Sequence, residues 1–157
     1  MKRNPVALSL TALVLTALPS AHAATAEVLD AKPASLVKAL NDAGYKPELR
    51  PGDTTTPPSI ALKVNGDSVY LYFSGCKDGL CTRATASNGF EFPKDRNGLA
   101  KVLAGWNAEW YSQAYEDKDG VYLDAFYTLT GGYTKANFKV WFDAYLDELG
   151  EFGDKLY

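Results

Sequence analysis

Few side chains in this sequence could carry out chemistry. The chain has one histidine, His22, and two cysteines, Cys76 and Cys81. Four residues separate the cysteines, whereas a thiol redox motif uses a two-residue spacer and a zinc site needs further histidine or cysteine ligands. The N-terminal residues described below indicate export, and a cysteine pair in an exported protein is normally oxidised. The spacing therefore predicts a structural disulfide across the Asp78-Gly79 turn rather than a redox or metal pair.

The first 23 residues have the three parts of a secretory signal peptide. Lys2 and Arg3 form a basic start, an apolar run covers residues 5–18, and residues 19–23 end in a small-x-small pattern. Cleavage after Ala23 would also remove His22, so no catalytic group that depends on histidine could form. An uncleaved N-terminal anchor is the alternative. We expect a periplasmic or secreted protein.

Composition limits the partners of the mature chain. Removing Lys2 and Arg3 from the 16 basic residues leaves 14 against 19 acidic residues, a net charge of −5. This balance argues against nucleic acid and anionic membranes as partners. No other apolar run approaches the ~18 residues of a membrane span, so we expect no membrane association after cleavage.

Acidic residues offer the remaining catalytic chemistry. Asp124 alternates with Tyr122 and Phe126, and burial among rings would raise its pKa, as a general acid requires. A glycosidase needs a second carboxylate, which the sequence does not identify. Residues 117–120 resemble the start of a calcium loop but lack its later glutamate, since Thr128 occupies that position. We predict no catalytic residue, no metal site and no cofactor.

The hydrophobic periodicity predicts one α+β domain after a flexible lead-in at residues 24–32. Helical spacing alternates with period-two strands joined by turns such as Asn65-Gly66. The predicted order is α-β-β-β-α-β-β-α, with a mostly antiparallel five-stranded sheet and helices on one face. The predicted elements are a helix from Pro33 to the stop at Gly44, strands at 60–64, 69–73 and 81–87, a helix at 99–110, strands at 112–116 and 121–129, and a helix capped by Thr134.

Strand alternation also predicts a candidate binding surface. If Val69, Leu71 and Phe73 face the helices, the opposite sheet face carries Tyr70 and Tyr72. The last strand adds its own residues to that face, and an uncovered aromatic face would bind a partner or ligand. Two other arrangements are equally open. The lead-in, a loop or a second subunit could cover this face, or the tyrosine rings could lie flat with their hydroxyls in water. The candidate residues are Tyr70, Tyr72, Tyr122, Asp124 and Phe126.

Several segments together resemble the YbjN-like domain family, described as bacterial sensory transduction regulators. The resemblance covers roughly residues 33–152, and its specificity lies in the order and spacing of the segments. The matching segments are residues 36–40, 43–45, 60–73, 75–79, 106–107, 114–115, 117–120 and 131–132, with Asn137.

The resemblance implies a fold similar to that of type III secretion chaperones, which bind polypeptides and often dimerise. It supplies no catalytic residues. We therefore expect an exported, non-enzymatic interaction domain that engages a protein or peptide partner or acts in envelope sensing, and that could form a homodimer. The alternatives are a carboxylate-based hydrolase of envelope sugars and a carrier of small apolar ligands.

Overall fold

The structure is a computed structural model that describes residues 26–157. The predicted signal peptide and its cleavage site lie outside the described residues. Within residues 26–157, no helix combines the length and apolar character needed to cross a membrane. The elements are α1 (Pro33–Asp42), β1 (Glu48–Arg50), β2 (Ser59–Val64), β3 (Asp67–Ser74), β4 (Arg83–Phe90), α2 (Leu99–Glu109), β5 (Gln113–Glu116), β6 (Val121–Thr128) and α3 (Lys135–Leu156).

The sheet has six antiparallel strands in the order β1-β2-β3-β4-β6-β5. The predicted number of five is wrong, because β1 was not recognised. All three residues of β1 are exposed, and Leu49 is its only apolar side chain. A three-residue edge strand therefore has no alternating pattern that sequence analysis could detect. The predicted α+β class and the antiparallel sheet are confirmed.

Turn residues set the two hairpins where the sequence predicts them. Asn65 and Gly66 both have positive φ, at 53° and 101°, as the two-residue turn between β2 and β3 requires. The backbone N–H of Asp117 donates to the carbonyl of Gly120 and closes the second hairpin, between β5 and β6. The strand β4 continues to Phe90, three residues beyond the prediction, because it pairs with β6 as far as Val121.

The core lies between the helices and one face of the sheet. Ile60, Leu71 and Leu123 point into it from three strands and are fully buried. The helix α3 packs its apolar stripe against β4 and β6, and α1 packs against β2. The side chain of Thr134 caps α3 by accepting from the Asn137 N–H. Every predicted residue of the α3 stripe is buried: Phe138, Trp141, Phe142, Tyr145, Leu149 and Phe152.

The helix α2 protects the edge of the sheet at β5. The side-chain amide of Asn107 donates to the carbonyl of Ala114 at 2.9 Å, and the Ala114 N–H donates back to the amide oxygen at 2.7 Å. Asn107 thus satisfies outward backbone groups that an edge strand would otherwise present to other chains. The Trp106 indole N–H donates to the buried Ser112 hydroxyl, which fixes the loop between α2 and β5.

The segment before α1 is hydrogen-bonded to the domain. Leu29 exchanges two backbone hydrogen bonds with Tyr133, and the carbonyl of Ala31 accepts from the N–H of Cys81. The approach is close at Gly132, where a Cβ atom would lie 2.6 Å from the Leu29 carbonyl oxygen. The lead-in therefore contacts the part of the chain that the Cys76–Cys81 disulfide closes.

We expect Phe142→Ala to lower the free energy of unfolding by about 3–5 kcal/mol, because it leaves a cavity under α3. Phe142 is fully buried and contacts the rings of Tyr45 and Phe138. The matched control is Val140→Ala on the exposed side of the same helix, with an expected change within ~0.5 kcal/mol. Urea unfolding followed by circular dichroism measures both, and equal effects would contradict this packing.

The disulfide makes a second stability prediction. We expect the unreduced protein not to react with a thiol label, because both cysteines are in the disulfide. Mass spectrometry of the treated protein measures the label. The double variant Cys76→Ser/Cys81→Ser should lose about 2 kcal/mol of stability, the chain-entropy value for so short a loop. Two labelled cysteines in the protein isolated from an oxidising compartment would refute the pairing.

Candidate functional site

The face of the sheet opposite the helices carries the predicted site residues. Cross-strand alignment places Tyr70 beside Ser87 and Ser87 beside Asp124, so these three side chains form one row. The next row joins Tyr72 through Thr85 to Phe126. Because aligned residues share a face, all five predicted residues lie on one surface. We call this surface the open face: Tyr70, Tyr72, Tyr115, Tyr122, Asp124 and Phe126, with the small residues of β4 between them.

The strand β4 carries small side chains in the middle of the open face. Thr85, Ser87 and Gly89 lie between the rings of the flanking strands, and Arg83 is on the same face at the start of β4. Ser87 is buried, with 7 % of its surface exposed. Adjacent strands lie about 4.8 Å apart, so the backbones of β3 and β6 are separated by roughly 10 Å. The Tyr122 ring leans over β4 and would be 3.2 Å from a Cβ atom at Gly89. A side chain at that position would displace the ring.

Three of the aromatic side chains of the open face are substantially exposed, while Tyr70 and Tyr122 are partly buried. The accessible fraction is 50 % for Tyr72, 46 % for Phe126 and 42 % for Tyr115. No segment within residues 26–157 therefore covers them. An exposed cluster of large aromatic side chains is unusual on a monomer and is typical of interaction surfaces.

Ring pairs stiffen this surface. Tyr70 and Tyr72 stack with centroids 5.9 Å apart, and Tyr115 stacks on Tyr122 at 5.5 Å. Sequence analysis missed Tyr115, although the turn at residues 117–120 aligns it with Tyr122 and could have identified it. Rings held in pairs lose little further freedom on binding, which favours recognition.

Asp124 lies near the centre of the open face and is only partly solvated. Burial raises the pKa of its carboxyl group, while the Ser87 and Tyr115 hydroxyls partly oppose this effect. The Tyr115 hydroxyl donates to Oδ2 at 3.2 Å, whereas Oδ1 is buried without a hydrogen-bond partner. The Ser87 hydroxyl lowers the pKa of Asp124, although it forms no hydrogen bond with Oδ1. Burial and the Asp124 charge in turn raise the pKa of Tyr115 to about 12.

The surroundings of Asp124 do not favour the hydrolase hypothesis. A two-carboxylate mechanism requires a second acid within ~10 Å across a shared cleft. Burial is the main cause of the raised Asp124 pKa, and the side chains that oppose it are the Ser87 and Tyr115 hydroxyls. Among the described residues, no cluster of three or more histidine, cysteine or acidic side chains could hold a metal ion.

The carrier hypothesis has one structural counterpart away from the open face. An apolar cavity of about 280 Å³ lies between α1 and α3, with Leu40, Phe138 and Phe142 in its lining. Its volume falls just below the ~300–1,000 Å³ typical of small-molecule pockets. The open face offers the more extensive surface.

Basic side chains extend the open face at both ends. The Arg50 guanidinium lies over the Tyr70 ring, 5.5 Å from its centroid, and Arg83 lies over Phe126 at 5.3 Å. Arg50 also lines a cavity of about 520 Å³ next to Tyr70, together with Lys46 and others. Sequence analysis missed Arg50 because it missed β1. Strand alternation could have placed Arg83, but only the pairing of β4 with β6 brings it to Phe126.

Fold and site together define an α+β domain with helices on one face of the sheet and aromatic rings on the other. Residues 32–157 match the YbjN family, described as "Putative bacterial sensory transduction regulator". The chain therefore belongs to this family, as its sequence motifs predict. This membership is consistent with a non-enzymatic regulatory or interaction role. A comparison with curated proteins gives no match.

The partly buried carboxyl group makes a prediction about stability. Because the pKa of Asp124 is raised above its ordinary value of 3.8, the folded state binds this proton more tightly than the unfolded state. The carboxylate therefore costs stability as the pH rises through the raised pKa. We expect Asp124→Asn to be more stable than the parent at pH 7, since asparagine still accepts from Tyr115.

This advantage should shrink as the pH falls through the raised pKa. It should vanish below the ordinary pKa of 3.8, where the carboxyl group is protonated in both the folded and the unfolded parent protein. Urea unfolding of both proteins across this pH range measures the difference. Asp147→Asn removes one exposed negative charge from α3 and is the control. An advantage for Asp124→Asn that is independent of pH would contradict the assignment.

Proposed function

We propose that this chain is an exported, non-enzymatic interaction domain that binds a polypeptide partner on its open face. The observation that carries the proposal is the half-exposed aromatic cluster, which includes Tyr72, Tyr115 and Phe126. Tyrosine and arginine are the residues most enriched where binding energy concentrates in protein interfaces. Arg50 and Arg83, stacked on rings of the same face, complete this composition.

The sequence resemblance implies a fold similar to that of type III secretion chaperones, which bind polypeptide segments. On this implied likeness we propose the same class of partner here. The signal-peptide pattern of residues 1–23 and the Cys76–Cys81 disulfide favour action outside the cytoplasm. A role in envelope sensing would then pass through the partner rather than through direct contact with DNA.

The open face suits a segment that lies across the strands. Between Thr85 and Gly89, β4 has no side chain larger than threonine on this face, so one segment can contact the rings of both β3 and β6. The edge at β5 is occupied, since Asn107 already bonds the outward backbone groups of Ala114. We therefore favour binding on the face over strand addition at that edge.

Peptide selection tests this proposal. Random peptides of about 12 residues, ~40 Å long when extended, are displayed on phage and selected against the purified protein. We expect selected peptides to bind Tyr72→Ser/Phe126→Ser at least about tenfold more weakly, the loss typical of interface anchors. Val140→Ser on α3 removes an apolar side chain that is even more exposed, at 71 %, but lies away from the open face, and it should not change the affinity.

Two results would overturn the proposal. One is that no peptide is enriched, or that selected peptides bind the double variant as tightly as the parent. The other is that light scattering shows a dimer that the double variant converts to a monomer. A second copy of the chain would then occupy the open face.

A further inference from the structure

The cavity beside Tyr70 differs in charge from the rest of the molecule. It has a volume of about 520 Å³, and three basic side chains line it: Lys46, Arg50 and Lys63. Glu48 is the one acidic residue of its lining. The whole chain has a net charge of −3 and a pI of about 5.1. A concave site with excess positive charge on an acidic protein is suited to an anionic group.

The basic groups of this cavity have no ionic partners in the described part of the chain. The salt bridges within residues 26–157 involve other lysines and arginines, several of them on α1 and α3. Arg50 and Lys63 also donate no side-chain hydrogen bond among the described residues. Their donors are thus available to a ligand.

Arg50 lies beside an aromatic ring of the open face. The carbon of its guanidinium group is over the Tyr70 ring, 5.5 Å from the ring centroid. A guanidinium edge binds a carboxylate through two parallel hydrogen bonds. Tyr70 also stacks on Tyr72, so the basic cavity is continuous with the aromatic rings of the open face.

The charges on the rest of the open face also favour an acidic ligand. Arg83 adds a second cation at the opposite end, over Phe126. Asp124 is the acid at the centre of the face, and Glu48 lies in the cavity at the Arg50 end. The surface therefore presents aromatic rings between two arginines, and basic side chains outnumber acidic ones in the cavity beside Tyr70.

We infer that the polypeptide bound on the open face is acidic and that one of its carboxylate side chains enters the cavity formed by Lys46, Arg50 and Lys63. This inference rests on the proposed function. The rings supply most of the contact area, and the basic cavity fixes the orientation and register of the segment. Complementary charge would also speed association at low salt.

Matched peptides and matched variants test the inference. The probe is a peptide selected as above, compared with a copy in which each aspartate and glutamate becomes asparagine or glutamine. We expect the neutral copy to bind about tenfold more weakly, the value of one good charge-assisted contact. Raising the salt from about 50 to 300 mM should weaken the acidic peptide and leave the neutral copy nearly unchanged.

The variant Arg50→Gln/Lys63→Gln should weaken the acidic peptide about tenfold and the neutral copy hardly at all, because the two changes remove the same interaction. Lys94→Gln/Lys101→Gln is the control. It removes two exposed basic groups that form no salt bridge in the described region, and it should leave both affinities within about twofold. Thermal unfolding of each variant shows that the fold is retained.

The outcomes separate the two proposals. If neutral peptides bind as tightly as acidic ones while Tyr72→Ser/Phe126→Ser still weakens them, the inference is wrong and the proposed function stands. If no peptide binds the open face, the proposed function fails as well. If inorganic phosphate or citrate alone binds the cavity as tightly as the acidic peptide, the site is one for small anions and the inference is overturned.

Discussion

Burial of the α3 aromatic stripe against one face of the sheet is the interaction on which the rest of the structure depends. Phe142 and Phe152 belong to this stripe and are fully buried. The hydroxyl of Tyr145, in the same stripe, donates a hydrogen bond to the backbone carbonyl of Leu123. This contact orients the helix on the sheet. Because each strand alternates its side chains, the residues that α3 covers also determine which residues face away.

The two faces of the sheet consequently differ in what they can do. The helix-facing side forms the apolar core. The opposite side carries exposed rings, flanked by Arg50 and Arg83. Exposed aromatic surface costs solvation free energy. The proposed polypeptide partner would cover this surface.

Membership of the YbjN family and this surface lead to the same class of function. The family is described as a regulator, which is consistent with a non-enzymatic role. The open face extends over β3, β4, β6 and β5. We propose that a polypeptide contacts it along several of these strands.

The sequence by itself determined the elements that have strong local signals. Period-two alternation placed Tyr70 and Tyr122 on the face away from the helices, and helical spacing identified the α3 stripe. It could not reveal β1, since three exposed edge residues have no periodicity. Only the tertiary structure brought Arg50 over Tyr70, Arg83 over Phe126 and Tyr115 to Asp124. These contacts depend on strand order, which is decided by packing between segments far apart in the chain.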